Sequence, residues 1–246
     1  GSRALGIHTA TSNIDVLISR PLKGLLHEIE DTPAGGRKLF NHVGTIECGP
    51  PDYLPPKILL IHISTGVQLD IISRWSADIF VRERDKVCQA CIAKDDRVQP
   101  FLRLVLEWVA SRRSFMPIAD GYPSSYCFRL MALHFLMYRM VGVVLPPLKD
   151  YGAYLNEKDE RFVAAKKALG LTADDLFQDF LEYLGRSGKA DKGLWANLRN
   201  PVEAFTPGAW QVFDPPSRKK LLKLKECQIF ELASMARRDA AVMRGR

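Results

Sequence analysis

The sequence predicts an α+β fold in two parts: a small mixed sheet with helices over residues 1–75, then a mainly helical part over residues 76–246. Three observations predict it. Short apolar, β-branched runs separated by turn residues are confined to the first part. Beyond it, apolar residues recur at three- and four-residue intervals, the period of amphipathic helices. Apolar residues make up 47% of the 246, enough for a proper core, and no run reaches the length of a membrane span.

The elements follow in order. Ile14–Ser19 is short and β-branched and reads as a strand. Pro21 opens a helix to about Glu30, with Leu22, Leu25, Leu26 and Ile29 at helical spacing. Asp31–Gly36 is a loop, and Pro50, Pro51, Pro55 and Pro56 make an irregular approach to a second strand, Lys57–Ile63. Thr65-Gly66 is turn chemistry, so Val67–Ser73 returns as the second arm of a hairpin. On that arm Val67, Leu69 and Ile71 face one way and Gln68, Asp70 and Ile72 the other. Helices are predicted over Ser76–Ala93, Val98–Arg113 and Ser124–Met140, the last apolar on most sides, as a central buried helix is. Leu145-Pro146-Pro147 breaks the chain, and two further helices fall near 158–169 and 172–185. Gly185–Gly193 reads as an exposed loop, Trp210–Phe213 as a short strand, and Ser217–Met243 as a closing basic helix.

A net charge of +7 points to a polyanionic partner, RNA or a ribonucleoprotein surface. Five scattered cysteines, an odd number, predict a reducing, intracellular compartment. Cys88-Gln89-Ala90-Cys91 has no second pair or nearby histidine at ligand spacing, which argues against zinc or redox chemistry there. In the closing segment Arg218, Lys219, Lys220 and Lys223 interleave with Leu221, Leu222 and Leu224. A helix packed on one side and charged on the other can track an RNA backbone. Neither DNA nor a membrane is expected as a partner.

The chemistry-bearing pattern is the opening G-S-x3-G-x5-S-N-I-D-V: Gly1-Ser2, Gly6, then Ser12-Asn13-Ile14-Asp15. A hairpin strand carrying Asp70 follows. Later come Asp95–Pro100, Leu106–Arg113 and Gly121-Tyr122-Pro123-Ser124-Ser125-Tyr126, the last opening the apolar helix. In order and spacing these resemble the polymerase-β-like nucleotidyltransferases, in particular the noncanonical poly(A) polymerases and terminal uridylyltransferases. The likeness covers most of residues 1–145; afterwards only Phe213-Asp214-Pro215 echoes a family segment.

The resemblance implies a nucleotidyltransferase palm over 1–75, its leading part falling before residue 1, and a helical poly(A)-polymerase-associated domain over 76–246. It implies that Gly1 and Ser2 approach nucleotide phosphates, and that Ser124, Ser125 and Tyr126 bind phosphate and base. Asp15 and Asp70 would be the catalytic acids and metal ligands, holding Mg²⁺ or Mn²⁺ for an incoming NTP. Alternate residues of a strand share a face, so positions 13 and 15 present their side chains together.

The sequence departs from that pattern. Asn13 stands at the first acid, and an amide brings no charge to a hard cation. Aligning Arg112-Arg113 with the family's paired arginines puts Glu107 and Ser111 where lysines would meet the triphosphate, and Glu107 would repel it. A one-residue slip would shift that role toward Lys86 or Lys94. Two readings follow: a catalytically inactive RNA-binding or architectural subunit of a ribonucleoprotein in RNA processing or ribosome assembly, or a template-independent RNA 3′-terminal nucleotidyltransferase adding A or U, either active as it stands or inactivated by an introduced Asp-to-Asn change at Asn13. The three departures together favour the first, in which neither metal nor NTP is needed. No histidine follows His134, which disfavours a uridylyl specialist on the family's pattern. An organellar ribonucleoprotein suits the basic charge, so the mitochondrion is the expected compartment ahead of nucleus or cytosol.

Overall fold

In a computed structural model, residues 5–8, 14–18, 22–31, 39–46, 57–138, 144–145, 170–187, 194–196, 198, 210–213, 215 and 220–245 are described. The chain divides into two compact units, Gly1–Asp85 and Lys86–Arg246. The division falls inside one helix.

The first unit is built on a four-stranded sheet of order β1-β4-β3-β2. Its strands are β1 (Ile14–Ile18), β2 (Phe40–Ile46), β3 (Lys57–His62) and β4 (Gln68–Ser73). β1 runs parallel to β4, whereas β2, β3 and β4 are antiparallel in sequence. The expected hairpin forms β3 and β4. Its turn closes through Gly66 N–H to the His62 carbonyl at 2.8 Å, with Gly66 at a φ of 67° that disfavours other residues. Helix α1 (Leu25–Asp31) covers one face of the sheet. There Leu25, Ile58, Leu60 and Ile71 form a buried cluster, joined by Val16, Ile18, Leu22, Ile29, Phe40 and Leu69. Leu69 and Ile71 thus share the core face, as the alternation predicts, and Asp70 points away from it.

β2 is a strand that the sequence reading does not anticipate. It is mostly exposed, has a bulge between His42 and Gly44, and carries Asn41 and His42 where a strand signal would need apolar residues.

The second unit is mainly helical. Its helices are α2 (Arg74–Lys94, which spans the division), α3 (Val98–Ser111), α4 (Ser125–Tyr138), α5 (Ala173–Ser187) and α6 (Glu226–Arg244). α4 is buried along most of its length, from Cys127 to Met137. It packs on α3 and α5 through tilted and edge-on rings of Phe101, Phe135, Phe180 and Tyr183. Cys88, Cys91 and Cys127 are buried free thiols. No helix among the described residues is long and apolar enough to cross a membrane. The helix expected near 158–169 lies outside the described residues.

A three-stranded sheet completes the unit: β5 (Leu194–Ala196), β6 (Trp210–Phe213) and β7 (Lys220–Lys223), in that order. β7 corrects the expected single basic helix from Ser217. Lys220–Lys223 pairs antiparallel with β6, and the helix starts only at Glu226. Backbone pairing with β6 decides for the strand: Val212 lies opposite Leu222 in register, and Leu224 N–H reaches the Trp210 carbonyl at 3.4 Å. The helix is then opened by Gln228, whose Oε1 accepts the Lys225 N–H at 3.0 Å while its Nε2 donates to the Asp120 carbonyl at 2.8 Å.

Candidate active site

The sheet brings the two expected acids together by register. Asp15 on β1 and Asp70 on β4 are direct partners across the parallel pair. Gly6, four residues after Ser2, turns the chain with a φ of 68°, between buried Leu5 and Ile7. Gly1, Ser2 and Asn13 lie outside the described residues.

Asp70 is 2% exposed, and both its oxygens are engaged. Lys57 Nζ donates to Oδ2 at 2.5 Å, and Gln68 Nε2 donates to Oδ1 at 2.8 Å. Lys57 was missed in the sequence reading, although a signal exists. Leu59 is the cross-strand partner of Asp70, so Lys57 is the diagonal neighbour two residues away, within reach of a long side chain.

In the second unit, the cations around the expected phosphate-binding segment are held by the protein itself. Helix α3 contains no lysine in any register. Arg103 Nε donates to Glu107 Oε1 at 3.0 Å on the exposed face, and the Ser111 hydroxyl donates back to the Trp108 carbonyl at 2.8 Å. Arg112 forms two bonds to Asp239, at 3.0 and 3.1 Å, and Asp239 also accepts from Trp108 Nε1 at 2.7 Å. Burial pushes the Asp239 carboxyl up, but these donors outweigh it and hold it below the ordinary value. Arg113 reaches the carbonyls of Met116 and Pro123 at 3.1 and 3.0 Å and the Ser125 hydroxyl at 3.3 Å, and burial lowers its pKa.

The Ser-Ser-Tyr segment is likewise used by the fold. Ser124 Oγ accepts the Cys127 N–H at 3.2 Å, an N-cap on α4, and the Arg129 guanidinium lies 5.2 Å from the Tyr126 ring centre. Half-buried Arg97 pairs with buried Asp95 and also donates to the Leu171 carbonyl at 3.2 Å, which ties the start of α3 to the segment before α5. Of the expected RNA-binding cations, Lys220 is exposed on β7 and Lys223 ends that strand. Arg218 and Lys219 lie outside the described residues. Arg237, Arg238 and Arg244 are exposed on α6.

No protein-family model and no curated protein matches the sequence. Solved structures do. mtPAP bound to UTP superposes with a TM-score of 0.70 at 17% identity, over 99% of this chain and 59% of that one. GLD-2 in complex with RNP-8 gives 0.62 at 17%, and Cid1, an RNA terminal uridylyl transferase, 0.63 at 16%. Both comparisons cover 100% of this chain and 81% of the other. These are the noncanonical poly(A) polymerases and uridylyltransferases that the motifs resemble. The chain has the nucleotidyltransferase fold.

A nucleotidyltransferase fold implies a divalent metal, and the donor chemistry here does not fit the three-acid pattern. Position 13 offers a neutral amide. The Asp70 carboxylate is buried with an ammonium on Oδ2 and an amide on Oδ1, so a cation would have to compete with donors already in place.

Proposed function

We propose that this chain is a catalytically inactive nucleotidyltransferase-fold subunit that binds RNA within a ribonucleoprotein, in RNA processing or ribosome assembly. The observation that carries the reading is the internal use of polar groups on and around the segments expected to meet a triphosphate. Arg103 pairs with Glu107, Arg112 with Asp239, and Arg113 with backbone carbonyls, while Ser124 caps a helix. Lysines at such positions act as point charges toward phosphate, and α3 has none to offer. Asn13 brings no charge to the position of the first acid in the expected metal-binding pattern. Support for RNA comes from the net charge of +7 and the exposed cations on β7 and α6. A mitochondrial ribonucleoprotein is the setting we favour.

Purified protein, labelled RNA, each NTP and Mg²⁺ or Mn²⁺ provide the test. We expect no 3′ extension above background, and none from Asn13→Asp. Extension by the native chain would overturn the proposal in favour of a working terminal nucleotidyltransferase, the reading that the Asp15–Asp70 register supports. Strong extension restored by Asn13→Asp alone would show that the helical unit still binds nucleotide productively.

A further inference from the structure

We infer that Lys57 is the resident counter-ion of Asp70, an ammonium built into the sheet beside a carboxylate expected to ligate a divalent cation. The inference deepens the proposal above and rests on its assignment of Asp15 and Asp70 as the palm acids. A carboxylate as buried as Asp70 needs a partner of opposite charge, since a lone buried charge is strongly disfavoured. Lys57 is that partner. Its side chain is 25% exposed, so the stem lies along the sheet while the head reaches a carboxylate that is almost fully covered.

Geometry makes the arrangement local and self-sufficient. β3 and β4 are held in register from Lys57–Ile72 to Ile61–Gln68, so the two strands of one tight hairpin set the position of the ammonium. Gln68, two residues from Asp70 on the same strand, occupies the second oxygen. The charges point the same way. The Lys57–Asp70 pair is neutral as a unit, where the carboxylate alone would carry −1. A divalent ion entering this site meets a weak field and has to expel an ammonium already in contact with its ligand.

The test measures metal uptake and stability rather than activity. Lys57→Met leaves Asp70 buried without its counter-ion. In metal-free buffer its thermal midpoint should fall by several degrees and recover on addition of Mn²⁺ or Mg²⁺, while the native chain responds to neither. Electron paramagnetic resonance should show Mn²⁺ bound at least tenfold more tightly by Lys57→Met than by the native protein. Lys57→Arg should behave like the native chain. Lys57→Met with Asp70→Asn should regain stability without metal and lose the Mn²⁺ uptake.

Equal Mn²⁺ affinity in native and Lys57→Met protein, or an unchanged midpoint in Lys57→Met, would overturn the inference. If Lys57→Met folds only when refolded in Mn²⁺, the inference stands. If it folds under neither condition while the double variant folds, no metal can take the place of Lys57 and the inference fails. Mn²⁺ bound equally by both proteins without RNA extension would sink the counter-ion alone; extension by the native chain would sink the non-catalytic reading.

Discussion

Asp239 on α6 takes donors from Trp108 and Arg112, so a single carboxylate ties the last helix to α3. Asp239→Ala should destabilise the protein by about 2 kcal/mol in urea unfolding. Most of that would come from the stranded Trp108 N–H, because Arg112 is exposed enough for its ion pair to be screened. Asp239 is held below its ordinary value, so its contribution is present at neutral pH and is lost as pH falls through its native pKa. A second pH effect comes from His134, whose burial in α4 pushes its imidazole down to about 3. The unfolded chain takes up that proton near pH 6.5 and the native chain only near 3. Stability should therefore fall on acidification across that window, by up to about 1.4 kcal/mol per pH unit. His134→Gln should flatten the slope in pH-dependent unfolding. Residues of this kind are the least legible from sequence. Asp70 stands out in the sequence as an expected acid, but the bonds of Lys57 and Asp239 arise only from register and from helices distant in the chain.

At the scale of elements, α5 and α6 pack closely because Gly185 gives way to a side chain. A Cβ at Gly185 would lie 2.3 Å from Arg237 Cγ. Gly185→Ala should cost about 1–3 kcal/mol through overpacking, and adding Arg237→Ala should recover most of it in a double-mutant cycle. Elements with a strong period were readable: the β3–β4 hairpin, α3, α4 and α5 each announced themselves by alternation or by a helical stripe. β2 and β7 were not. The first is an exposed, bulged strand with a weak pattern, and the second is a four-residue segment whose Lys-Leu-Leu-Lys spacing suits a helix as well as a strand. Pairing with β6 decided between them, and pairing is a long-range fact.

At the scale of the molecule, the excess positive charge governs how the protein meets a polyanion. On the proposed reading, the logarithm of RNA affinity should fall linearly with the logarithm of salt concentration in filter binding or fluorescence anisotropy. Arg237→Glu with Arg238→Glu should weaken it across unrelated sequences and reduce the slope by about 1.4 if both residues neutralise single-stranded phosphates. A sequence-dependent loss would point instead to base readout. The two acids that register pairs, Asp15 and Asp70, follow from motif order, and the mainly helical character of the later residues follows from apolar period. The pairing of Arg112 with Asp239 does not, because its partners lie 127 residues apart and spacing alone cannot pair them.

β7 lies at one edge of its sheet, with lysines at both of its ends. An edge strand offers unpaired backbone groups to any passing chain, and lysine is a common guard against that. The cations read first as contacts for RNA thus also protect solubility. Lys220→Val with Lys223→Val should leave the unfolding midpoint nearly unchanged yet raise light scattering as the protein is concentrated, because the hazard lies in self-association rather than in folding.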